Sequence, residues 1–350
     1  MLSVSAEVYH PNQLFRSETG RTITATNSES DRVGAAQGGA RRSRREIVFT
    51  IIRWLAPTAI GVGLVLRFRQ SLAEVVWPTF SLILVAELCV VSLILNILVS
   101  ALKFWLLYRR LGMPIPFREV FFLDLSAASA SIILPAKSEM FFMAAYLTRR
   151  GYCSFLQAVG TTVYHLVTSL LAVFFLLAIF APLVIPLSAG LGLVGAVAIL
   201  AIFFLAPAAV RNFGPRRFRG DAAGLPRGSI QIWLFLLSLG CAAATPVLLA
   251  LLFHALKIDA RWPAIVFHGN FVELLSQLPV AIAGAGIREA SVLYLFRGTA
   301  SPGDLLVCGA IITGVSRLLP AAIGLLFVRR ITAVIVGGSK EDRARADQAK

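Results

Sequence analysis

The sequence predicts an all-α integral membrane protein, a helical bundle that crosses the bilayer several times. Of its 350 residues, 57% are hydrophobic and 15% are charged, whereas a soluble domain carries about 25% charged residues. The apolar residues form long blocks, many of which match the roughly 20 residues that cross a bilayer. We expect about six spanning helices plus two broken or re-entrant helical hairpins; the alternative is eight spanning helices.

The predicted elements follow the apolar blocks in chain order. The six predicted spans cover approximately residues 47–66, 80–107, 155–180, 187–210, 230–254 and 304–328. Two further blocks, 119–147 and 262–296, are interrupted by Pro135 and by Pro279 with a glycine-rich stretch. Since proline removes a backbone donor and ends a helix, each interrupted block is predicted to enter the membrane and return, or alternatively to cross it as one kinked helix.

The positions of the arginines predict the orientation of the spans. Basic residues concentrate before the first span, in the 108–118, 148–154 and 211–229 loops, and after the last span. The positive-inside rule places all of these stretches, and both termini, in the cytoplasm. The two interrupted blocks then enter from opposite faces, which suggests an inverted repeat of the kind found in transporters. Arg67 and Arg69 are exceptions, because they fall on the predicted outer side.

Three regions are predicted: a disordered basic cytoplasmic tail at 1–46, a transmembrane domain at 47–330, and a short charged cytoplasmic tail at 331–350. The net charge of +15 is explained by the basic tail and loops, so no nucleic-acid partner is expected. Four cysteines and four histidines are scattered along the chain, so neither a metal nor another cofactor is expected. The expected location is a cell membrane of the bacterial inner or plasma type.

Polar residues at the two breaks are the candidate substrate-binding residues. A charge at the bilayer centre costs at least about 2.5–3.5 kcal/mol, so such groups pair or face water. A half-helix starting near Ile287 would aim free N–H groups and its positive dipole end at an anion. The alternative is a hairpin that only packs, with a local ion pair between Arg288 and Glu289. The predicted substrate-binding residues are Lys137, Glu139, Gly284, Gly286, Arg288 and Glu289.

Further polar residues are predicted to line a cavity or to hold helices together. The spacing of Asn270, Glu273 and Gln277 puts them on one helical face, which either faces a cavity or joins helices by hydrogen bonds. Asp124 and His165 complete the predicted cavity lining, His165 serving either in packing or as a proton relay. Glu87 and Arg317 lie within spans and are predicted to form a structural ion pair, the alternative being a proton or substrate path.

The segment Leu278–Ala290 resembles the transmembrane region of lysylphosphatidylglycerol synthases, also called the flippase-like domain family. The family pattern is a proline followed by a glycine-rich turn that ends in Gly-x-Arg-Glu. This chain keeps Pro279, two glycines and Arg288-Glu289, and has Ala283 in place of one family glycine. The resemblance covers about residues 47–330.

An earlier family motif, a break of the Pro-x-Arg-x-Gly-Glu type, is one residue shorter in this chain. It has Lys137 in place of the arginine and Ser138 in place of the glycine. Where family members often carry a Glu-Arg pair on the next helix, this chain has Tyr164-His165.

The resemblance implies a flippase-like protein that translocates or binds an anionic amphipathic lipid or a lipid-linked intermediate. Its expected partners are membrane lipids with anionic headgroups, and it is expected to be a transporter rather than an enzyme, because the family's synthases carry a soluble aminoacyl-transferase domain and only a short tail follows Arg330. In this interpretation Lys137 and Arg288 contact the headgroup, while nearby glutamates hold these bases or carry coupling protons. The alternatives are an integral-membrane transferase acting on a lipid and a non-catalytic subunit of an envelope-biogenesis complex.

Overall fold

The computed structural model describes residues 82–133, 139–186, 188–213, 228–277 and 286–348. Within these ranges the chain is helical between short turns, and its single β-bridge joins Arg297 to Ala300. The predicted tail at 1–46 and the predicted first span lie outside the described residues. The helices are α1 (Leu82–Arg110), α2 (Phe117–Ile133), α3 (Glu139–Arg149), α4 (Phe155–Val184), α5 (Ala189–Phe213), α6 (Ser229–Ala255), α7 (Trp262–Ser276), α8 (Ile287–Leu295) and α9 (Pro302–Gln348).

The long helices make the chain a multi-pass membrane protein. Among the described residues, α1, α4, α6 and the Pro302–Ile335 part of α9 are long and apolar enough to span a membrane, and α5 has a shorter apolar stretch, Ala189–Leu205. At 1.5 Å per residue, each long helix exceeds the roughly 30 Å hydrocarbon core. Large apolar side chains on the outside of the bundle are exposed, as at Leu326, where 77% of the surface is accessible. Such side chains suit contact with lipid.

The second interrupted block folds back on itself. The ring of His268 in α7 lies 5.2 Å, centroid to centroid, from the ring of Phe296 just after α8. On one continuous helix these two residues would be about 40 Å apart. The two helices therefore form a hairpin, which we call hairpin 2 (262–296).

The first interrupted block folds back in the same way. The Tyr146 hydroxyl near the end of α3 donates to Glu119 Oε1 near the start of α2, at 2.5 Å. A continuous helix would separate these residues by about 40 Å. We call this pair of helices hairpin 1 (117–149). The structure thus adopts the fold-back arrangement at both breaks rather than two kinked crossing helices.

The two hairpins enter the bundle from opposite ends. Helices α1 and α6 are antiparallel, since Gly240 packs near Val99 whereas Leu88 shares a buried cluster with Phe253. Hairpin 1 follows the C-terminal end of α1, and hairpin 2 follows the C-terminal end of α6. Their bases therefore lie at opposite ends of the bundle, an arrangement that agrees with the inverted orientation predicted from the arginines.

Each hairpin base packs into its own apolar cluster. At the base of hairpin 1, Phe104 and Tyr108 of α1 pack with Val120, Leu147 and Ile331 of α9. The corresponding cluster at the base of hairpin 2 is made by Leu88, Phe253, Val272, Phe296 and Leu305. Because α1 and α9 contribute to both clusters, these two helices hold the two hairpins in one bundle.

Helices α1 and α9 each contain a π-helical turn, at Leu93–Leu98 and Gly314–Leu318. The turns lie beside each other, because the Ser92 hydroxyl at the start of the first donates to the Val315 carbonyl of the second at 2.9 Å. Such π-turns occur frequently at functional sites. Both turns contribute side chains to the cavity described below.

The C-terminal region differs from the sequence expectation. The segment predicted as a short tail, 331–350, continues α9 as helix to Gln348. Helix α9 also approaches α2 closely at Gly324, where an added Cβ atom would meet the Leu125 carbonyl and the Ser129 hydroxyl. The Ser129 hydroxyl donates to the Ala321 carbonyl at 2.6 Å. Small residues and interhelical hydrogen bonds of this kind hold membrane helices together.

Candidate functional site

A polar cavity lies where the two hairpins meet inside the bundle. Its main chamber has a volume of about 240 Å³ and is lined by Ser131 and Glu139 of hairpin 1 and by Gln277 at the end of α7. An adjoining chamber of about 140 Å³ has seven lining residues in common with it. We call both chambers together the central cavity. Its polar lining consists of Asn96, Ser100, Asp124, Ser131, Glu139, Thr162, His165, Ser169, Glu273, Gln277, Ser316 and Arg317.

Glu273 is the centre of a hydrogen-bonded network at one wall of this cavity. Its Oε1 accepts from Arg317 Nη2 at 2.8 Å and from Gln277 Nε2 at 2.8 Å. Its Oε2 accepts from Arg288 Nη2 at 2.9 Å and from Thr245 Oγ1 at 2.9 Å. One carboxylate thus faces two guanidinium groups, so the cluster carries an excess positive charge.

Arg288 lies behind Glu273 and is fully buried. Its Nη1 donates to Ser316 Oγ at 2.7 Å and its Nη2 to Ser276 Oγ at 3.2 Å. Arg288 therefore ties α7, α8 and the π-turn of α9 together, and it is absent from the described cavity lining. The arginine that reaches the cavity is Arg317, so the structure corrects the expectation that Arg288 itself meets the headgroup.

The start of α8 is closed by its own glutamate. Glu289 Oε2 accepts from the Gly286 backbone N–H at 2.6 Å, and Gly286 has a φ of 82°, a value that glycine adopts without steric cost. This carboxylate occupies the place that the sequence assigned to an external anion. It also leaves Arg288 to pair with Glu273, so the expected local pair between Arg288 and Glu289 is wrong.

The predicted ion pair between Glu87 and Arg317 is also wrong. Arg317 lies in the second π-helical turn and pairs with Glu273. Glu87 is exposed on α1, well before the first π-helical turn. The charge rule identified both residues, but their rotational positions in the bundle could not be read from sequence.

The other predicted cavity residues divide into two groups. Asp124, His165 and Gln277 line the main chamber, and Glu273 lines the adjoining one. The imidazole of His165 stacks on Phe104 with 3.8 Å between ring centroids. Asn270 is fully buried, donates to the Val266 carbonyl at 2.9 Å and is absent from the described lining, so its predicted place at the cavity is corrected. The predicted binding residues Lys137 and Gly284 lie outside the described residues.

Lys103 is a buried charge beside the cavity that the sequence reasoning missed. It is fully buried, and its Nζ donates to the His165 carbonyl at 3.0 Å and to Ser169 Oγ at 2.8 Å. Both acceptor residues line the cavity. The available signal was a lysine inside an apolar span, which the rule applied to Asp124 would have identified.

The arrangement can hold a polar or anionic group inside the bundle. Arg317 supplies a cation at the wall, and Asn96, Ser100, Ser169 and Gln277 supply neutral hydrogen-bonding groups. Within the described ranges, no group of three or more His, Cys, Asp and Glu side chains could hold a metal ion.

Comparison with known families adds one finding. A family model described as the lysylphosphatidylglycerol synthase TM region matches residues 54–324. The match therefore includes both hairpins and every residue of the Glu273 network. A search of curated proteins gave no significant match.

Proposed function

The chain belongs to the family of the lysylphosphatidylglycerol synthase TM region, and from this premise we propose that it binds an anionic amphipathic lipid and translocates it between leaflets. Membership makes it a membrane lipid-related protein. The observation that carries the finer proposal is the central cavity, a polar chamber with Arg317 on its wall, between two hairpins that enter from opposite ends. A headgroup needs such a polar route, because crossing hydrocarbon with unpaired polar groups is costly.

In this proposal Arg317 is the principal contact for the headgroup. One of its terminal nitrogens donates to Glu273, while a guanidinium carries five N–H donors in all. The remaining donors can bind a phosphate by charge-assisted hydrogen bonds, which are about twice as strong as neutral ones. The main chamber of about 240 Å³ corresponds to roughly eight water molecules, room for a headgroup but not for acyl chains. The chains would lie against the apolar outer faces of the helices.

The remaining candidate residues keep their predicted roles as part of this proposal. Lys137, at the break of hairpin 1, is proposed as a second basic contact for the headgroup, and Gly284 as part of the unwound backbone of hairpin 2. Arg288 acts through Glu273, which positions Arg317. Glu139 and Asp124 face the cavity and are proposed to take up coupling protons.

We further propose that the protein lies in a cell membrane with both termini in the cytoplasm. The ends of α1, α3 and the apolar part of α9 come together, because Tyr108, Leu147 and Ile331 share one cluster. The adjacent arginine pairs Arg109-Arg110, Arg149-Arg150 and Arg329-Arg330 are therefore grouped at one end of the bundle, which the positive-inside rule assigns to the cytoplasm.

Thiol labelling in intact cells tests this orientation. In a cysteine-free background, we expect Asp259→Cys, at the other end of the bundle, to react with a membrane-impermeant reagent from outside. Arg110→Cys should react only after the cells are opened. Both residues are accessible to solvent, so the reversed pattern would show the opposite orientation.

A lipid-movement assay tests the proposed activity. The purified protein would be placed in phosphatidylcholine vesicles that contain phosphatidylglycerol with a fluorescent acyl chain, and dithionite would bleach the outer leaflet. We expect bleaching of more than half the probe, at a rate reduced at least tenfold by Arg317→Gln. Arg261→Gln, an exposed charge removed from the α6–α7 connection, is the matched control and should not change the rate.

Two results would contradict the proposal. The first is bleaching no faster than in protein-free vesicles, and the second is equal rates for Arg317→Gln and the wild type. Mass spectra of the vesicle lipids distinguish the alternative activity: a new lipid species formed by the protein would indicate an integral-membrane transferase.

A further inference from the structure

A second cavity lies at the base of hairpin 1, at the end of the bundle where the arginine pairs gather. It has a volume of about 250 Å³ and lies between α2, α3 and α9. None of its lining residues lines the central cavity. We call it the basal cavity.

The walls of the basal cavity carry an excess of positive charge. Arg118 of α2, Arg150 after α3 and Arg330 of α9 line it, and Glu119 is the one acidic residue in the described lining. Three cations from three separate parts of the chain thus face one small volume with a single carboxylate. An anion in this volume would relieve their mutual repulsion.

Glu119 is already engaged by groups of the protein. Its carboxylate accepts from the Tyr146 hydroxyl at 2.5 Å and from the Tyr152 hydroxyl at 3.0 Å, and Arg150 Nε lies 3.6 Å from it. The hydrogen bond with Tyr146 is the main cause that raises the pKa of Arg150, so this side chain stays charged. Within the described part of the chain, neither Arg118 nor Arg330 lies within ion-pair distance of a carboxylate.

The floor of the basal cavity is apolar. The rings of Phe122 in α2 and Phe327 in α9 stack with 4.2 Å between centroids, and the Arg118 guanidinium lies 5.4 Å from the centroid of the Phe122 ring. Ile331 and Val334 continue this surface along α9, because residues spaced by three and four share a helical face. A charged rim above an apolar floor suits an amphipathic ligand better than a soluble anion.

We propose that the basal cavity is a binding site for an anionic phospholipid, separate from the central cavity. The phosphate lies between Arg118, Arg150 and Arg330, and the start of one acyl chain lies against Phe122 and Phe327. The site opens at the basic end of the bundle, where arginine and lysine side chains attract anionic leaflets. A lipid held there bridges α2, α3 and α9, and so fixes the base of hairpin 1 against α9. The proposal does not depend on lipid translocation.

Binding of a labelled lipid tests this site. The full-length protein in detergent would be titrated with phosphatidylglycerol that carries a fluorescent acyl chain. We expect Arg118→Gln/Arg330→Gln to remove one bound lipid per chain, or to weaken its binding at least tenfold, which corresponds to about 1.4 kcal/mol. The matched control is Arg109→Gln/Arg110→Gln, which removes two exposed charges from the same end outside the cavity and should leave binding unchanged.

Further titrations distinguish a lipid in the basal cavity from a lipid in the central cavity, from general attraction by surface charge and from binding of a soluble anion. Arg317→Gln should keep the basal lipid, since it changes the central cavity alone, and labelled phosphatidylcholine should bind at least tenfold more weakly. Equal loss in the Arg109/Arg110 control would show a general surface-charge effect and overturn the proposal. Competition by inorganic phosphate as effective as that by unlabelled phosphatidylglycerol would show a soluble-anion site and would also overturn it. A stability measurement by thermal unfolding ensures that each variant is folded.

Discussion

At the residue scale, the outcome depends on how one glutamate is shared. The sequence rule that charges inside spans must pair or face water identified Glu273, Arg288 and Arg317. It could not give the pairing, because Arg288 reaches Glu273 only when hairpin 2 folds back, and Arg317 reaches it from a π-helical turn. The result is a cluster in which Arg288 is structural and Arg317 is exposed to the cavity.

Removing the charge of Glu273 should destabilise the protein. Glu273→Gln would leave the fully buried Arg288 without its carboxylate partner, and breaking a buried ion pair costs about 3–5 kcal/mol. We expect a clearly lower midpoint of thermal unfolding in detergent. The exposed Glu87 supplies the control, since Glu87→Gln should stay within about 0.5 kcal/mol of the wild type. Equal midpoints for the two variants would argue against the network.

At the scale of elements, the breaks could be predicted and their capping could not. Pro135 and Pro279 separate the helices of each hairpin, as expected from their missing donors, and the observed α4 and α6 begin at or within a residue of the predicted spans, because bilayer thickness sets such lengths. The capping of α8 by Glu289 was missed, although a glutamate three residues after a cap is a known signal. The helical continuation beyond Arg330 was missed because charge alone does not end a helix.

The contact between α9 and α2 depends on the absence of a side chain at Gly324. Gly324→Ala would place a methyl group against the Leu125 carbonyl and Ser129, and such overpacking costs about 1–3 kcal/mol. Gly314→Ala is the matched control, because an added Cβ atom there meets nothing within 4 Å. We expect thermal unfolding to occur at a lower temperature for Gly324→Ala alone. If both variants unfold together, the close approach is not important for stability.

At the scale of the whole molecule, the arginine pattern predicted more than the hydropathy pattern. Hydropathy could not distinguish a kinked crossing helix from a hairpin, whereas the basic loops required each interrupted block to start and end on one side. The folded chain has both hairpins, entering from opposite ends. The cavity between them could not be located from sequence, because its lining comes from several helices that are far apart along the chain.

The central claim is that an anionic headgroup occupies the central cavity, and protection of a cavity cysteine tests it most directly. In a cysteine-free background, Ser131→Cys places a thiol in the main chamber, and Tyr294→Cys places one on an exposed surface. We expect phosphatidylglycerol, but not phosphatidylcholine, to slow modification of the Ser131→Cys thiol several-fold, with no effect at Tyr294→Cys. Unchanged modification of Ser131→Cys at saturating phosphatidylglycerol would contradict the claim.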